Sequence, residues 1–425
     1  MALFRRKADP DAPRLGIYIH IPFCVRKCDY CDFYSVPGRD SRMDEYLQAL
    51  ELHIAESAPQ AEIYTINTIY FGGGTPTFFG AERLARLLQI VRKHFNVSKD
   101  CEITVECNPD SADRDPLLPL KKAGVNRLSM GVQSAQDKEL KEIGRVHSFA
   151  QAAQAFQCAR DVGFDNISLD LIYGLPDQTM ESWKASVEAL LKLNPEHLSC
   201  YGLKLEKGTP LYERRDQERM ADDDTQADMY LWMVERLKNA GYGQYEISNF
   251  ARPGRQSRHN LKYWMGEEYI GFGPSAHSYF GQQRYSFVRD LDAYVKGVLH
   301  NGKILDESSR INRREMGKEY LMLRMRTIWG VEENEYRERF YLNFLPLEER
   351  FREYESYGWA ECTDGRWHFT PSGFLLSNPL IGDILAIQAE AARNTMRPII
   401  EKRMEAEKQG QRCRVLSSPS RKKQK

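Results

Sequence analysis

The sequence predicts an α/β protein: a partial or complete TIM-like (β/α) barrel followed by a small C-terminal winged-helix-like α+β domain. Three observations carry this expectation. Between residues 16 and 250, short β-branched or aromatic runs alternate with longer amphipathic segments, the pattern of successive βα units. Gly124, Gly163 and Gly241 close three of the amphipathic segments in the manner of C-terminal helix caps. Beyond Ile311 the composition turns helical and charged, and a hairpin follows around Asp364-Gly365, a pair suited to a tight turn.

The strand candidates, in order, are Ile17–Ile21, Thr68–Phe71, Glu102–Glu106, Arg127–Met130, Ile167–Leu171 and His197–Leu203, with Tyr245–Ile247 a shorter seventh. Helical patterns lie between them at about 42–57, 80–95, 113–123, 149–163, 180–193 and 221–240. In such a barrel the working residues gather at the carboxyl ends of the strands. The first strand runs into Cys24, Cys28 and Cys31, and the second into Gly72-Gly73-Gly74-Thr75-Pro76-Thr77. The third ends at Glu106-Cys107-Asn108-Pro109, the fourth leads to Gly131-Val132-Gln133-Ser134, the fifth carries Asp170, and the sixth carries Tyr201. Thiols, glycines, carboxylates and amides are thereby expected on one rim.

The expected domain organisation is a polar N-terminal leader over 1–15 and the barrel over 16–250. A connecting segment over 251–310 contains Arg258-His259-Asn260-Leu261-Lys262-Tyr263-Trp264. The small C-terminal domain covers 311–385, and 386–425 reads as a polar helix running into a basic, disordered tail. Acidic and basic residues balance at 60 each, which argues against nucleic acid or an anionic membrane as the main partner. No eighteen apolar residues run together and no apolar stretch follows the basic start, so no transmembrane segment and a cytoplasmic location are expected. The nine cysteines are an odd number and mostly scattered; in a reducing compartment this suggests buried thiols and one metal cluster, not a disulfide framework.

Cys24-x3-Cys28-x2-Cys31 has no fourth cysteine nearby. A structural zinc site closes its tetrahedron with four protein ligands, so three clustered thiolates suggest a metal centre with an open position, such as a [4Fe–4S] cube with three irons held by protein. A zinc-stabilised barrel remains the alternative. The run Gly72–Gly74 allows close backbone approach and offers amide hydrogens, or else is a mere turn. Glu106 and Asp170 are acceptors for hydroxyl or amino groups, or else helix caps.

The three-cysteine spacing resembles that of the radical SAM superfamily, in which the open iron binds S-adenosylmethionine (SAM). The match is narrower than the superfamily. His20-Ile-Pro-Phe-Cys24, the GGGTPT and GVQS segments, Asp170-Leu-Ile-Tyr-Gly-Leu-Pro176 and the HNLKYW segment together resemble the oxygen-independent coproporphyrinogen III oxidase-like group, over roughly residues 15 to 380. The resemblance implies SAM contacts at Tyr18, Tyr30, Gly73, Gly74, Thr75, Glu106, Gln133, Arg145 and Asp170, with Arg145 pairing with the SAM carboxylate. That group contains two functions. Its true oxidases resemble one another in a further cysteine two positions after the third and in an N-terminal extension over the substrate, whereas this chain has Phe33 and a leader of about sixteen residues. On both points, and in His259-Asn-x-x-Tyr-Trp264, the chain resembles the HemW-type heme chaperones. This implies heme as a third cofactor, His259 as an axial ligand with His277 and His147 as alternatives, and Tyr263 and Trp264 as rings that pack on a porphyrin. It also implies a heme-acceptor protein and an electron donor as partners. Porphyrinogen oxidation is the alternative activity.

Overall fold

The computed structural model describes residues 12–391 and 393, so the expected leader, except for its last four residues, and the expected basic tail lie outside the described residues. The chain divides between Asn312 and Arg313 into two compact units.

In the first unit six parallel strands follow the expected order: β1 (Arg14–Ile21), β2 (Thr65–Gly73), β3 (Val97–Cys107), β4 (Arg127–Gln133), β5 (Ile167–Tyr173) and β6 (His197–Gly202). Six longer helices alternate with them, at Met43–Ser57, Ala81–His94, Arg114–Ala123, Phe149–Val162, Met180–Leu193 and Asp223–Asn239. The second shows why such segments become helices: Leu84, Leu87, Leu88 and Val91 recur at helical spacing and are buried together. Ser148 and Thr179 start two others with capping boxes, and Gly124 and Gly163 end two in the left-handed conformation.

A strand buried on both faces usually reads as a continuous apolar run. These strands do not, because only their outer face is apolar. Leu15, Ile17, Ile19 and Ile21 of β1, Ile103 and Val105 of β3, Leu128, Met130 and Val132 of β4, and Ile167, Leu169 and Leu171 of β5 are buried on that face. The alternate positions turn to the interior and are polar: Tyr18 and His20, Thr68 and Tyr70, Glu102, Thr104 and Glu106, Arg127, Ser129 and Gln133, Ser168 and Asp170, His197, Ser199 and Tyr201. The hydrophobic stabilisation of the barrel therefore comes from the strand–helix layer, and its interior is free to carry chemistry.

The shorter seventh strand expected at Tyr245–Ile247 is instead the turn of a hairpin, between β7 (Gly243–Gln244) and β8 (Asn249–Ala251), and β8 runs antiparallel to β6. Tyr245 N–H still donates across the hairpin to the Asn249 carbonyl at 3.1 Å, and the Glu246 carboxylate accepts from the backbone N–H of Ser248 at 3.2 Å, which holds the turn. On the other side β9 (Tyr269–Phe272) pairs in parallel with β1, and β10 (His277–Phe280), β11 (Gln283–Phe287) and β12 (Leu305–Arg310) extend the sheet antiparallel. One twelve-stranded sheet results; its outermost strands, β12 and β7, do not pair with each other, so the barrel is partial.

The helix Arg258–Met265 caps the amino end of the interior. The Glu102 carboxylate accepts from the backbone N–H groups of Arg258 and His259, each at 3.0 Å, where the helix leaves its first donors unpaired. His259 is fully buried there, with Nδ1 2.8 Å from the Thr68 hydroxyl and Nε2 2.8 Å from the Tyr263 hydroxyl.

The second unit contains helices Arg313–Arg324, Glu333–Phe340 and Leu345–Ser356, and a three-stranded antiparallel sheet of β13 (Val331–Glu332), β14 (Ala360–Thr363) and β15 (Arg366–Phe369) in the order β13-β15-β14. Asp364 and Gly365 both have positive φ, 51° and 74°, as a two-residue hairpin of the expected kind requires. Tyr336, Phe340, Phe344, Phe351 and Trp367 form its aromatic core. A helix over 377–391 follows.

Candidate functional site

The carboxyl ends of the strands open into a cavity of about 480 Å³. Cys24, Cys28 and Cys31 line it, together with Tyr30, Gly73, Gly74, Thr75, Glu106, Gln133, Arg145 and Asp170. Of the positions named from the sequence motifs, Tyr18 does not line it; its hydroxyl lies 3.0 Å from His20 Nδ1 and its ring stacks on Tyr70.

Backbone bonds between the first two strand ends fix the cysteine loop. The N–H groups of Gly74 and Thr75 each donate at 2.8 Å, to the carbonyls of Ile21 and Phe23. No side chain fits at Gly74: a Cβ there would stand 2.6 Å from the Phe23 carbonyl oxygen and 2.9 Å from Cys24 Sγ. Gly73 adopts φ of 118°, a region L side chains avoid, and a Cβ would meet the His20 ring at 2.5 Å. The glycine run is thus required by contact with the cysteine loop, which a mere turn would not need.

The thiols sit in a weakly solvated, cationic surrounding. Thr75 Oγ1 donates to Cys24 Sγ at 3.6 Å, and Arg145 Nη1 donates to Cys28 Sγ at 3.4 Å and to Asn108 Oδ1 at 3.2 Å. Burial pushes the Cys31 thiol up to about 11 and raises that of Cys24, so metal loading must displace protons from them. No three His, Cys, Asp or Glu side chains among the described residues converge as a single-ion site. A cube does not ask for that, because each thiolate takes a different iron. The buried Arg145 guanidinium supplies countercharge, and its Nε is left without a partner. The three-thiol donor set and the glycine cradle fit an iron–sulfur cube with one open iron.

Strand register brings the two carboxylates to the centre. Glu106 pairs with Ser129 across β3–β4, while Asp170 pairs with Gly131 and Ser199 on either side. Glu106 accepts from Tyr70 Oη at 2.8 Å and from the Gly73 N–H at 3.0 Å. Burial nonetheless raises its pKa from the ordinary 4.5 to about 7, with Asp170 adding repulsion, and burial raises Asp170 as well. Gln133 ends β4 at φ of 71°, beside an irregularity in the β4–β5 register. That left-handed turn places a non-glycine residue at the rim, where strain commonly marks a functional position.

The three histidines named from the sequence are dispersed. His259 lies beneath the cavity and does not line it. His147 is buried, with Nε2 3.2 Å from the Val132 carbonyl oxygen, and burial lowers it to about 4; His277 is exposed on β10. Conversely, Arg127, Ser129 and Ser199 line the cavity although no motif singles them out, and Asn260 of the HNLKYW segment lines it although no role was expected of it. Their signal is the period of two that puts Arg127, Ser129 and Ser199 on the inner face.

Against known proteins, the profile of the Radical SAM superfamily matches residues 18–190. Heme chaperone HemW of Bacillus subtilis (strain 168) is 36% identical over 372 residues, 87% of this chain and 98% of that protein. Heme chaperone HemW of Escherichia coli (strain K12) is 34% identical over 377 residues, 88% and 99% respectively. Among solved structures, coproporphyrinogen III oxidase from Escherichia coli, a radical SAM enzyme, matches with a TM-score of 0.77 at 24% identity, covering 88% of this chain and 91% of that one. That likeness shows a shared fold.

Proposed function

Because this chain belongs to the radical SAM superfamily and, within it, to the family of heme chaperone HemW, we propose that it is a heme chaperone. In this reading it binds heme, transfers it to an acceptor protein, and carries a [4Fe–4S] cluster on Cys24, Cys28 and Cys31 completed by an exchangeable SAM. The observation that supports it most is the joining of the three thiols, the glycine cradle and the two inner carboxylates around one cavity. When bound, the cluster supplies electron transfer to the SAM sulfonium. The chain's own residues do the rest. Gly73 and Gly74 admit the methionine end beside the cysteine loop, Arg145 sets a positive charge at Cys28, and Glu106 and Asp170 accept from hydroxyl or amino groups.

Two features favour chaperone over oxidase. Phe33, two positions after Cys31, is 71% exposed at the cavity edge, where the oxidases carry a further cysteine in the pattern noted above. The identity is to heme chaperones over nearly their whole length. For heme iron, His259 is an available ligand only after releasing the Tyr263 hydroxyl from Nε2. Anaerobic reconstitution with iron, sulfide, SAM and heme tests the proposal. Heme binding and transfer to an apo-hemoprotein without coproporphyrinogen turnover supports it, whereas formation of protoporphyrinogen with stoichiometric 5′-deoxyadenosine replaces it with the oxidase reading.

A further inference from the structure

Arg127 begins β4 and is only 1% exposed, yet its guanidinium lines the cavity. Its Nε is buried without a hydrogen-bond partner, and no described carboxylate stands within ion-pair distance of it. Arginine carries five donors and no acceptor; the charges of Glu106 and Asp170 act on this guanidinium through space without bonding to it, so its donors stay unspent. The two carboxylates that share the cavity already have donors elsewhere. Glu106 accepts from Tyr70 and Gly73, and Asp170 accepts from Ser129 at 3.5 Å and Ser168 at 3.3 Å. Asn260, on the helix that caps the amino end of the interior, also lines the cavity, and its side-chain amide bonds to no described residue. A buried guanidinium with its donors unspent, beside a half-buried amide that bonds to no described residue, presents donors to the cavity for a ligand. The planar donor fork of arginine matches a carboxylate.

We propose that Arg127 and Asn260 form a carboxylate-binding subsite at the floor of the cavity, one inner-face layer below Glu106 and apart from the cysteine loop. Arg127 and Gln133 stand at opposite ends of β4, and six residues of strand span roughly 20 Å. An anion at the floor is therefore held apart from one at the cysteine loop. The subsite stands on the cavity's geometry; only its assignment to a porphyrin propionate, as against the carboxylate of an amino acid, rests on the heme reading.

The test uses the reconstituted, SAM-loaded protein. Saturation-transfer NMR with propionate should show binding to the wild type, and loss of it in Arg127→Met and in Asn260→Asp, which fixes a competing carboxylate at the floor while leaving the guanidinium in place. Absence of a signal in the wild type, or an unchanged signal in a folded Asn260→Asp protein, overturns the proposal. Heme and its dimethyl ester then identify the source. A propionate in the subsite makes heme bind at least tenfold more tightly than the ester and Arg127→Met removes that difference. Equal binding, with L-methionine saturating in place of propionate, assigns the subsite to an amino-acid carboxylate. Failure of both porphyrins to bind overturns the heme reading alone, since the propionate signal still reports the floor.

Discussion

Replacing Glu106 with glutamine tests the electrostatics of the interior directly. The carboxyl is raised by burial from 4.5 to about 7, so across that window the folded chain holds a proton the unfolded chain has released. A raised acid pKa makes stability greatest below the unfolded value and erodes it as pH rises through the folded one. At about 1.36 kcal/mol per pH unit, a gap of about 2.5 units amounts to about 3.4 kcal/mol, of which about 2.5 kcal/mol falls between pH 5 and pH 8.5. Because Glu106 opens partly onto the cavity, screening reduces this to about 1–2.5 kcal/mol. Glutamine also offers an amide hydrogen where the Gly73 N–H or the Tyr70 hydroxyl donates, which lowers stability by a similar amount at every pH. The readout is therefore the pH dependence and not the absolute value. Urea unfolding of the cluster-free protein at pH 5 and pH 8.5 should show the wild type losing about 1–2.5 kcal/mol more than Glu106→Gln over that interval. Equal pH slopes in the two proteins would refute the assignment of a raised pKa to this group.

Other perturbations separate roles elsewhere in the site. Gly74→Ala drives a Cβ against the Phe23 carbonyl and Cys24 Sγ; it should lower stability by about 1–3 kcal/mol and reduce iron per chain to under half of wild type. Normal iron content would show that the loop tolerates displacement. Cys31→Ser should take iron from about four per chain toward zero, while Cys158→Ser, outside the cavity, should keep it. Colorimetric iron and sulfide on both variants decide this, and comparable loss in the two would point to general unfolding. His259→Leu leaves the Thr68 and Tyr263 hydroxyls unpaired and should cost about 2–4 kcal/mol in denaturant unfolding without moving the Soret band of bound heme. A displaced Soret band would mean that the histidine leaves its buried position to take the iron.

The barrel was legible because its helices are amphipathic and its strands are short β-branched runs with fixed punctuation. Gly124 and Gly163 close helices where the sequence places them. Less legible was what long-range pairing creates. Tyr269–Phe272 is only four residues long, and it becomes a strand by lying parallel to β1; nothing local in the loop-rich stretch after Phe250 announces this. Tyr245–Ile247 has strand-like residues, yet the chain reverses there because its partner is the next segment, β8, and not a parallel strand of the barrel. The rim motifs identify residues that do line one cavity, since a strand's carboxyl end is readable from its loop. The floor is harder to read. Arg127 looks like a strand's first surface residue until the inner face is known to be buried, and Asn260 reaches the cavity only because its helix caps the barrel. The internal bonds of His259 depend on a threonine 191 residues away, a pairing that the HNLKYW segment does not contain.

If three cysteines hold a cluster whose open iron is completed by SAM, in a protein that carries heme, the cluster reports on SAM and keeps its identity beside heme. Electron paramagnetic resonance of the reduced, anaerobically reconstituted chain, recorded before and after adding SAM and then heme, addresses this in a single preparation. The expected result is a reduced [4Fe–4S] signal that changes on adding SAM, is abolished by Cys28→Ser, and survives heme loading in a sample able to pass heme to an acceptor. A cluster signal indifferent to SAM, or zinc in place of iron and sulfide, would contradict it.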